Sequence, residues 1–302
     1  MSTRTKALIA IVFVSMLWGT AGTAKILLKS FDPFTAAFLR FSLASIVLTP
    51  FFLKERRKKT IPILPLLPIA LLSTGNILFF YWGLRTTTAN ATAIMYTTVP
   101  LIVAIAAPKL IGEKVTRIKL AGIILGLTGA LFVAILPSFE RGQQISGDLV
   151  GNMFVLLAVL CWSAYTIASR TMLSSQKTTP MMMTSLSVFV STIIFGILAL
   201  PQWNPEYLRA FTWVNILIIV QLGVFVTVFT YLTLQWIIKH SSATTASLNQ
   251  YLQPVFGILF NALFLGERLT VGFLIGSSIA FAGVLLATGE QLLRKLFVKG
   301  SA

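Results

Sequence analysis

Long apolar stretches separated by short polar segments make up almost the whole chain. A helix needs about 20 apolar residues to cross the hydrocarbon core of a bilayer, and ten stretches come close to that length or exceed it. They cover residues 7–28, 34–53, 63–84, 88–108, 119–137, 149–169, 181–200, 213–237, 243–265 and 271–289. The pattern therefore predicts an all-α integral membrane protein with ten transmembrane helices.

The composition agrees with lipid as the surrounding medium. Of the 302 residues, 56% are hydrophobic and 11% are charged, whereas a soluble domain carries about 25% charged residues. The net charge of +16 would suggest nucleic-acid binding in a soluble domain, but here the basic residues form short runs between apolar stretches, as at 54–59. We therefore expect membrane lipids, and no nucleic acid, as partners. The single cysteine, Cys161, excludes an intrachain disulfide and a cysteine-cluster metal site, and no cofactor is expected.

The distribution of basic residues predicts the orientation of the chain. Seventeen of the 24 Lys and Arg residues fall on the side of the N-terminus, six fall on the other side, and Arg40 lies inside the second span. Cytoplasmic loops carry the excess of basic residues, so both termini are expected in the cytoplasm. The first stretch also resembles a signal peptide, with small residues at 19–24. We interpret it as a retained helix, because it has a counterpart later in the chain.

That counterpart belongs to an internal repeat. A shift of 154 residues places Trp82 on Trp236, Pro100 on Pro254 and the motif 112–114 on 266–268, and a shift of 144 places Trp18 on Trp162. The predicted organisation is a first five-helix repeat at 1–137, an external linker at 138–148, a second repeat at 149–290 and a basic cytoplasmic tail at 291–302.

An odd number of helices in each copy predicts that the second copy is inverted in the membrane. The loop charges agree, because segment 109–119 carries four basic residues and its counterpart, 263–273, carries one. Inverted repeats are a recurring architecture of secondary transporters, in which the substrate binds near the midplane where the halves meet.

Several of these repeated residues resemble the EamA-type transporters of the drug/metabolite transporter superfamily. The similar positions are Trp18-Gly19, Arg40-Phe41, Trp82-Gly83-Leu84, and the segments 89–100 and 112–116 with their duplicates at 243–254 and 266–270. The resemblance implies ten helices around a central cavity and the transport of small metabolites, amino acids or drugs, often outward. It does not identify a substrate.

Two prolines in related positions predict where the binding site lies. Pro100 and Pro254 fall near the middle of their spans, lack an N–H and leave the carbonyl four residues earlier without its helical partner. We therefore predict that they act as structural hinges. Tyr96 with Thr97, and Gln250 with Tyr251, would then line the cavity. The alternative is that each proline kink serves only helix packing.

Other candidate substrate-binding residues are aromatic or polar side chains within the spans. Trp18, Trp162 and Tyr165 either stack against a flat or apolar substrate or pack inside the helix bundle. Asn76 either contacts the substrate or forms an interhelical hydrogen bond.

Charges inside the spans are rare and therefore informative. Arg40 either attracts a carboxylate or phosphate, or snorkels outward, or binds backbone carbonyls. The spans contain no interior Asp or Glu, so no proton relay is evident, and facilitated diffusion or exchange stays open beside proton coupling. Glu113 and Glu267 lie at span ends, where they either pair with Lys114 and Arg268 or cap backbone groups.

These features predict a secondary transporter rather than an enzyme. The chain has neither a His-Glu-x-x-His motif nor a phosphate-binding Gly-rich loop. We expect alternating-access movement of small organic metabolites, amino acids or amphipathic solutes, across the plasma (inner) membrane, and the resemblance to EamA-type transporters implies an exporter. A lipid-carrier flippase or a non-transporting membrane sensor is the alternative. Pairs of glycines four residues apart, at 122 and 126 and at 272 and 276, permit close helix packing. We expect that packing within a monomer, with a homodimer left open.

Overall fold

Helices form almost all of the protein. The computed structural model describes residues 3–58, 61–140, 147–265, 269 and 271–299. In chain order the α-helices are α1 (Thr3–Gly19), α2 (Ala24–Leu27), α3 (Pro33–Lys58), α4 (Leu67–Gly83), α5 (Ala89–Tyr96), α6 (Val99–Ile111), α7 (Arg117–Glu140), α8 (Leu149–Ser174), α9 (Pro180–Ala199), α10 (Trp213–Val220), α11 (Thr230–His240), α12 (Ala243–Ser247), α13 (Asn249–Leu265) and α14 (Val271–Lys299). Short 3₁₀ turns cover Thr20–Thr23, Leu64–Leu66, Leu200–Gln202 and Pro205–Leu208, and a π-helical segment covers Gln221–Phe229.

The helices have the length and composition of membrane spans. Within the described ranges, nine helical stretches are long and apolar enough to cross a bilayer, which confirms the prediction of an all-α multi-pass membrane protein. Large apolar side chains such as Ile46 (70% exposed) and Ile193 (62% exposed) cover the outer surface, as expected for residues that contact lipid. The predicted span 243–265 is divided between α12 and α13 and is not one of the nine. The count of ten and the inversion of the second copy remain predictions.

The two halves of the sequence are interleaved rather than packed as separate bodies. The most extensive helix pairings are α7 with α14, α4 with α8, α3 with α9 and α1 with α13. Each of these pairs joins a helix that precedes the linker to one that follows it. Two weaker pairings, α1 with α11 and α6 with α8, are the repeat-related counterparts of α4 with α8 and of α1 with α13. These pairings recur when the two halves are exchanged, as the predicted sequence repeat requires.

The backbones of α7 and α14 approach each other closely. A methyl group on Gly122 would meet the backbone of Gly283 and Ala287, and one on Gly129 would meet the backbone of Ala280. Because backbone atoms cannot rotate away, these positions require glycine. The small residues of α7 and α14 thus pack these two helices of the same chain against each other.

The loops contact one another in two separate sets. On one side, Glu113 reaches the start of α12, and Arg170 donates to the carbonyl of Ile238 at 2.6 Å. On the other side, the N–H of Asp148 donates to the carbonyl of Thr86 at 3.0 Å, and the segments 29–33 and 201–215 are joined by side-chain hydrogen bonds. Each set contains only segments that the alternation of ten spans assigns to one side of the membrane.

Three parts of the predicted organisation fall partly or wholly outside the described residues. These are the second Gly-Glu motif with Glu267, Arg268 and Thr270, most of the linker 138–148, and the end of the tail 291–302.

Candidate substrate-binding site

A cluster of four aromatic side chains lies in the interior between the halves. Trp18 of α1 meets Trp162 of α8 edge-on, with ring centroids 5.4 Å apart, and Tyr165 lies 5.2 Å from Trp162. Tyr231 of α11 completes the cluster, 5.9 Å from Trp162 and 6.5 Å from Trp18. The structure thus brings together three of the predicted site residues, and all four rings are at most 9% exposed.

Polar groups on the neighbouring helices hold these rings in place. The amide nitrogen of Gln235 donates to the Tyr165 hydroxyl at 2.6 Å, and that hydroxyl also lies 3.2 Å from the Ser187 hydroxyl. The hydroxyl of Ser73 donates to the Tyr231 hydroxyl at 3.3 Å. The amide oxygen of Gln235 is fully buried and has no hydrogen-bond partner among the residues that the structure describes. A buried carbonyl oxygen of this kind retains full capacity to accept a hydrogen bond from a ligand.

The π-helical segment borders the cluster and binds Arg40. Nε of Arg40 donates to the Thr227 hydroxyl at 2.7 Å, and Nη2 donates to the carbonyl of Val226 at 3.3 Å. The same carbonyl accepts from the indole N–H of Trp18 at 3.2 Å. The contact is possible because α3 approaches closely at Gly223, where a methyl group would lie 3.0 Å from the Arg40 carbonyl oxygen. Of the alternatives for Arg40, the structure thus contains the one in which it binds backbone carbonyls.

Asn76 and Tyr96 form a second polar pair in the interior. The Asn76 amide nitrogen donates to the Tyr96 hydroxyl at 2.6 Å and to the Ala158 carbonyl at 2.8 Å. Tyr96 is half-buried, and its ring packs edge-on against Phe80. This arrangement links α4, α5 and α8, so Asn76 does form an interhelical hydrogen bond while its partner keeps an accessible face.

The helix interruptions in the two proline-containing spans precede the prolines. The first span is interrupted at Thr97 and Thr98, and Pro100 lies in the first turn of α6, where a missing N–H costs no hydrogen bond. The second is interrupted at Leu248, and α13 continues through Pro254. Both spans are therefore broken near their predicted hinges, but by different local geometry.

The other predicted residues on these spans are buried away from the cluster. Thr97 is fully buried, and its hydroxyl donates to the carbonyl of Ile94. Tyr251 packs its ring against Gly126 of α7. Within the described part of the chain, the Tyr251 hydroxyl and the Gln250 amide oxygen are buried without a hydrogen-bond partner. Between described residues, no ring contact or hydrogen bond joins Gln250 or Tyr251 to the aromatic cluster.

A carboxylate clamps the two halves together at one end of the bundle. Glu113 accepts hydrogen bonds from the backbone N–H groups of Ala243 (2.8 Å) and Thr244 (3.0 Å) and from the Thr244 hydroxyl. Its carboxylate also lies 3.8 Å from the ammonium group of Lys119. Gly112 has a positive φ of 66° that ends α6 and turns the chain toward α12. Glu113 therefore caps a helix of the other half and pairs with Lys119, not with Lys114.

These contacts also set the charge of the Glu113 carboxyl group. Burial alone would raise its pKa. The Thr244 hydroxyl, the charge of Lys119 and the two backbone N–H groups outweigh that effect, so the pKa of Glu113 is lowered from its ordinary value. The group is therefore a stable anion at neutral pH, which suits a structural clamp.

Four residues of the site were not among those predicted from the sequence. Tyr81, Thr227, Tyr231 and Gln235 each place a polar group near Arg40 or the aromatic rings. The available signal was a polar side chain in the middle of an apolar span. That signal does not distinguish a helix face toward the site from one toward another helix. Among the residues that the structure describes, no group of three or more His, Cys, Asp or Glu side chains could hold a metal ion.

Known proteins of similar sequence are described as transporters. An uncharacterized transporter of Clostridium kluyveri is 26% identical, over 84% of this chain and 83% of its own length. YoaV of Bacillus subtilis, also an uncharacterized transporter, is 22% identical, over 96% of this chain and 99% of its own. YedA of Escherichia coli K12, an uncharacterized inner membrane transporter, is 26% identical, over 94% and 91%.

A solved crystal structure has the same fold. Its TM-score is 0.75 at 17% sequence identity, and the match covers 94% of this chain and 98% of that one. The EamA-like transporter family matches this sequence twice, at residues 5–135 and at 149–289, which together make up most of its length. The chain therefore belongs to the EamA-like transporter family.

Proposed function

We propose that the protein is a secondary transporter that moves small organic metabolites, amino acids or amphipathic solutes, across the inner membrane by alternating access. The observation that carries this proposal is the aromatic cluster, because α1 of the first half and α8 and α11 of the second half contribute its rings. A site built from both halves changes its access when the halves rock against each other. Trp18, Trp162, Tyr165 and Tyr231 would contact the apolar part of the substrate.

The pairing of helices supports two inverted copies. Contacts of α1 with α11 and of α4 with α8 are exchanged by the sequence repeat, as are those of α1 with α13 and of α6 with α8. An inverted repeat supplies two near-equivalent conformations, one open to each side of the membrane. In this mechanism the interruptions ahead of Pro100 and Pro254 are the hinges.

Asn76 and Tyr96 form the polar wall of the proposed site. Thr97, Gln250 and Tyr251 are closed off in the conformation described above. They would reach the substrate only after the broken spans have moved. The oxygen atoms of Gln250 and Tyr251, which have no partner among the described residues, support this assignment, because buried polar groups ordinarily have one.

The clamp at Glu113 would be the gate on the cytoplasmic side. It joins the first half to the start of the broken span in the second half, and basic loop charge assigns this end of the bundle to the cytoplasm. Opening this side would require the carboxylate to leave the N-terminus of α12. Both termini would lie on the same side, and outward transport is the direction that we propose. We propose a monomer as the transporting unit, with a homodimer as the alternative.

The test is solute counterflow in proteoliposomes. Purified full-length protein is reconstituted, loaded with a panel of unlabelled amino acids and amphipathic metabolites, and exposed to a trace of each labelled compound, with and without a proton gradient. We expect saturable uptake that is accelerated by preloading. The absence of counterflow for every compound would overturn the proposal. Scrambling of a lipid carrier in the same vesicles would then favour the flippase alternative.

A further inference from the structure

Arg40 carries a positive charge within the membrane span without a carboxylate partner. It lies seven residues after the start of α3, about 10 Å along the helix axis, and it is half-buried. Between described residues, the one ion pair is that of Glu113 with Lys119. A charge placed inside a membrane without a counter-ion is costly and marks a functional site by default.

The hydrogen bonds of Arg40 leave part of the guanidinium free. A guanidinium has five N–H donors. Thr227 and Val226 each accept one hydrogen bond, and the Tyr81 hydroxyl interacts with the group as well. At least two donors therefore have no partner among the described residues. A carboxylate can use these donors and can also displace the two neutral acceptors, because hydrogen bonds between charged groups are stronger than those to neutral groups.

The repeat supplies a natural control for this charge. A shift of 147 residues places Arg40 on Ser187, and a shift of 154 places Tyr81 on Gln235. We call Arg40, Tyr81, Val226 and Thr227 the Arg40 corner, and Tyr165, Ser187 and Gln235 the Ser187 corner. All three members of the Ser187 corner are fully buried and neutral. The packing of this fold at that position therefore does not require a cation.

The Arg40 corner is directly connected to the aromatic cluster. The Val226 carbonyl accepts from both Arg40 and the indole N–H of Trp18, and Arg40 interacts electrostatically with the Tyr231 hydroxyl. A solute whose anionic group contacts Arg40 would therefore place its adjoining atoms against Trp18 and Tyr231. The single positive charge matches a monoanion, and the planar fork matches a carboxylate.

We propose that the transported solute is a small amphipathic carboxylate, which binds Arg40 in place of Thr227 and Val226 and rests its apolar part on Trp18 and Tyr231. This inference rests on the proposed transport function and adds the chemical class of the substrate. Release of the Val226 carbonyl by Arg40 would couple binding to the π-helical segment, since that carbonyl also anchors Trp18. π-helical segments are frequent at functional sites.

The test compares carboxylic acids with their primary amides, which have nearly the same shape and no charge. The probes are 3-phenylpropanoate and 4-methylpentanoate, each with its amide, titrated into the full-length protein in detergent while tryptophan fluorescence is recorded. We expect at least one acid to bind about tenfold or more tightly than its amide, since hydrogen bonds to a charged group contribute that much. Arg40→Gln should abolish the preference, and Arg40→Lys should retain it with weaker binding. Lys25→Gln, which removes an exposed cation of α2, should behave as the wild type.

Thr227→Val provides a variant whose effect has the opposite sign. Because it removes a competing acceptor of Arg40, we expect it to bind the acids more tightly than the wild type. The titration of Thr227→Val therefore tests whether the carboxylate binds Arg40 even if Arg40→Gln does not fold.

Other outcomes separate this inference from the proposed transport function. Equal binding of acids and amides, or an acid preference that survives in Arg40→Gln, would overturn the carboxylate assignment, while counterflow of neutral solutes would leave transport intact. Loss of counterflow for every solute would overturn transport itself. Arg40-dependent scrambling of a polyprenyl phosphate in phosphatidylcholine vesicles, without acid binding, would replace the carboxylate by a lipid phosphate.

Discussion

The Arg40 corner and the Ser187 corner occupy repeat-related positions but contain different chemistry. In the Ser187 corner, three fully buried neutral side chains are joined by hydrogen bonds, with the Tyr165 hydroxyl 2.6 Å from the Gln235 amide nitrogen and 3.2 Å from the Ser187 hydroxyl, and the Gln235 amide oxygen has no partner among the described residues. In the Arg40 corner, a half-buried guanidinium contacts a hydroxyl and a backbone carbonyl. The Ser187 corner is neutral and has one acceptor left over among the described residues, whereas the Arg40 corner is charged and has donors left over.

This difference separates what a repeat preserves from what it leaves free to change. Helix packing is related in the two halves, because small and apolar residues recur at the same offsets. Two interior polar positions differ, since Arg40 corresponds to Ser187 and Tyr81 corresponds to Gln235. Among the described residues, the interior therefore has a charge at Arg40, while the repeat-related Ser187 is neutral.

The largest effect on stability is expected when an arginine is introduced into the Ser187 corner. Ser187→Arg would place a guanidinium in a fully buried neutral site, which should lower the free energy of unfolding by more than about 3 kcal/mol. Thermal unfolding in detergent measures this loss. Arg40→Ser, the reverse change, should cost clearly less. Equal losses would mean that the two corners do not differ in the way described.

A smaller loss in the free energy of unfolding is expected when the contacts of Glu113 are weakened. Neither corner contains a carboxylate, so the acid sensitivity of the protein must come from other groups. Glu113→Gln should lower the free energy of unfolding at neutral pH by about 2 kcal/mol, because charged hydrogen bonds to α12 and the pairing with Lys119 are lost. The measurement is thermal unfolding of wild type and variant over a range of pH.

The pH dependence of this difference has a defined sign. The pKa of Glu113 is lower in the folded state than its ordinary value, so its stabilisation is complete above the ordinary carboxyl pKa and is lost as the pH falls through the lowered value. The gap between wild type and Glu113→Gln should therefore shrink on acidification. A gap that is constant with pH would contradict the assigned role of the carboxylate.

Removal of a hydroxyl group from the Ser187 corner should have a moderate effect on the free energy of unfolding. Tyr165→Phe leaves the amide nitrogen of Gln235 with only the Ser169 hydroxyl at 3.3 Å, so we expect a loss of about 1–2 kcal/mol in unfolding free energy. Denaturation monitored by tryptophan fluorescence provides the value. A negligible loss would show that the Ser187 corner is not held by its hydrogen bonds.

The smallest change in stability is expected when a tyrosine of the Arg40 corner is replaced by phenylalanine. Tyr81→Phe removes one of several neutral groups that surround Arg40, and the loss should stay below about 1 kcal/mol. Its main effect should be on the binding of 3-phenylpropanoate, measured in the titration described above. A larger stability loss than that of Tyr165→Phe would reverse the comparison.

The sequence predicted the helices well because membrane insertion is governed by local composition. About 20 apolar residues in a row form a spanning helix wherever they occur, since lipid cannot satisfy backbone hydrogen bonds. The hinge role of Pro100 and Pro254 stays a prediction, and the helices are interrupted ahead of both prolines, at Thr97 and Thr98 and at Leu248. The position of each interruption relative to its proline depends on packing and could not be predicted.

The candidate site was only partly predictable. Trp18, Trp162 and Tyr165 were grouped from the sequence because a tryptophan recurs at related positions of the two copies. In the structure, the ring centroid of Trp162 lies 5.4 Å from that of Trp18 and 5.2 Å from that of Tyr165. Tyr231 and Gln235 lie as close to this cluster, yet nothing in their local sequence distinguishes them from packing residues. Tyr251, by contrast, was predicted from its position ahead of Pro254, as Tyr96 was from its position ahead of Pro100, but its ring packs on Gly126.

The sequence by itself determined the medium of the protein, its helical class and its resemblance to EamA-type transporters. Hydrophobicity, motif order and repeat offsets are properties of position along the chain, so they need no knowledge of contacts. Only the tertiary structure decided that Glu113 caps α12, that Arg40 shares a carbonyl with Trp18, and that α7 lies against α14. These contacts join residues that are more than 120 positions apart, and they depend on how each helix is rotated about its axis, which an almost uniformly apolar sequence does not specify.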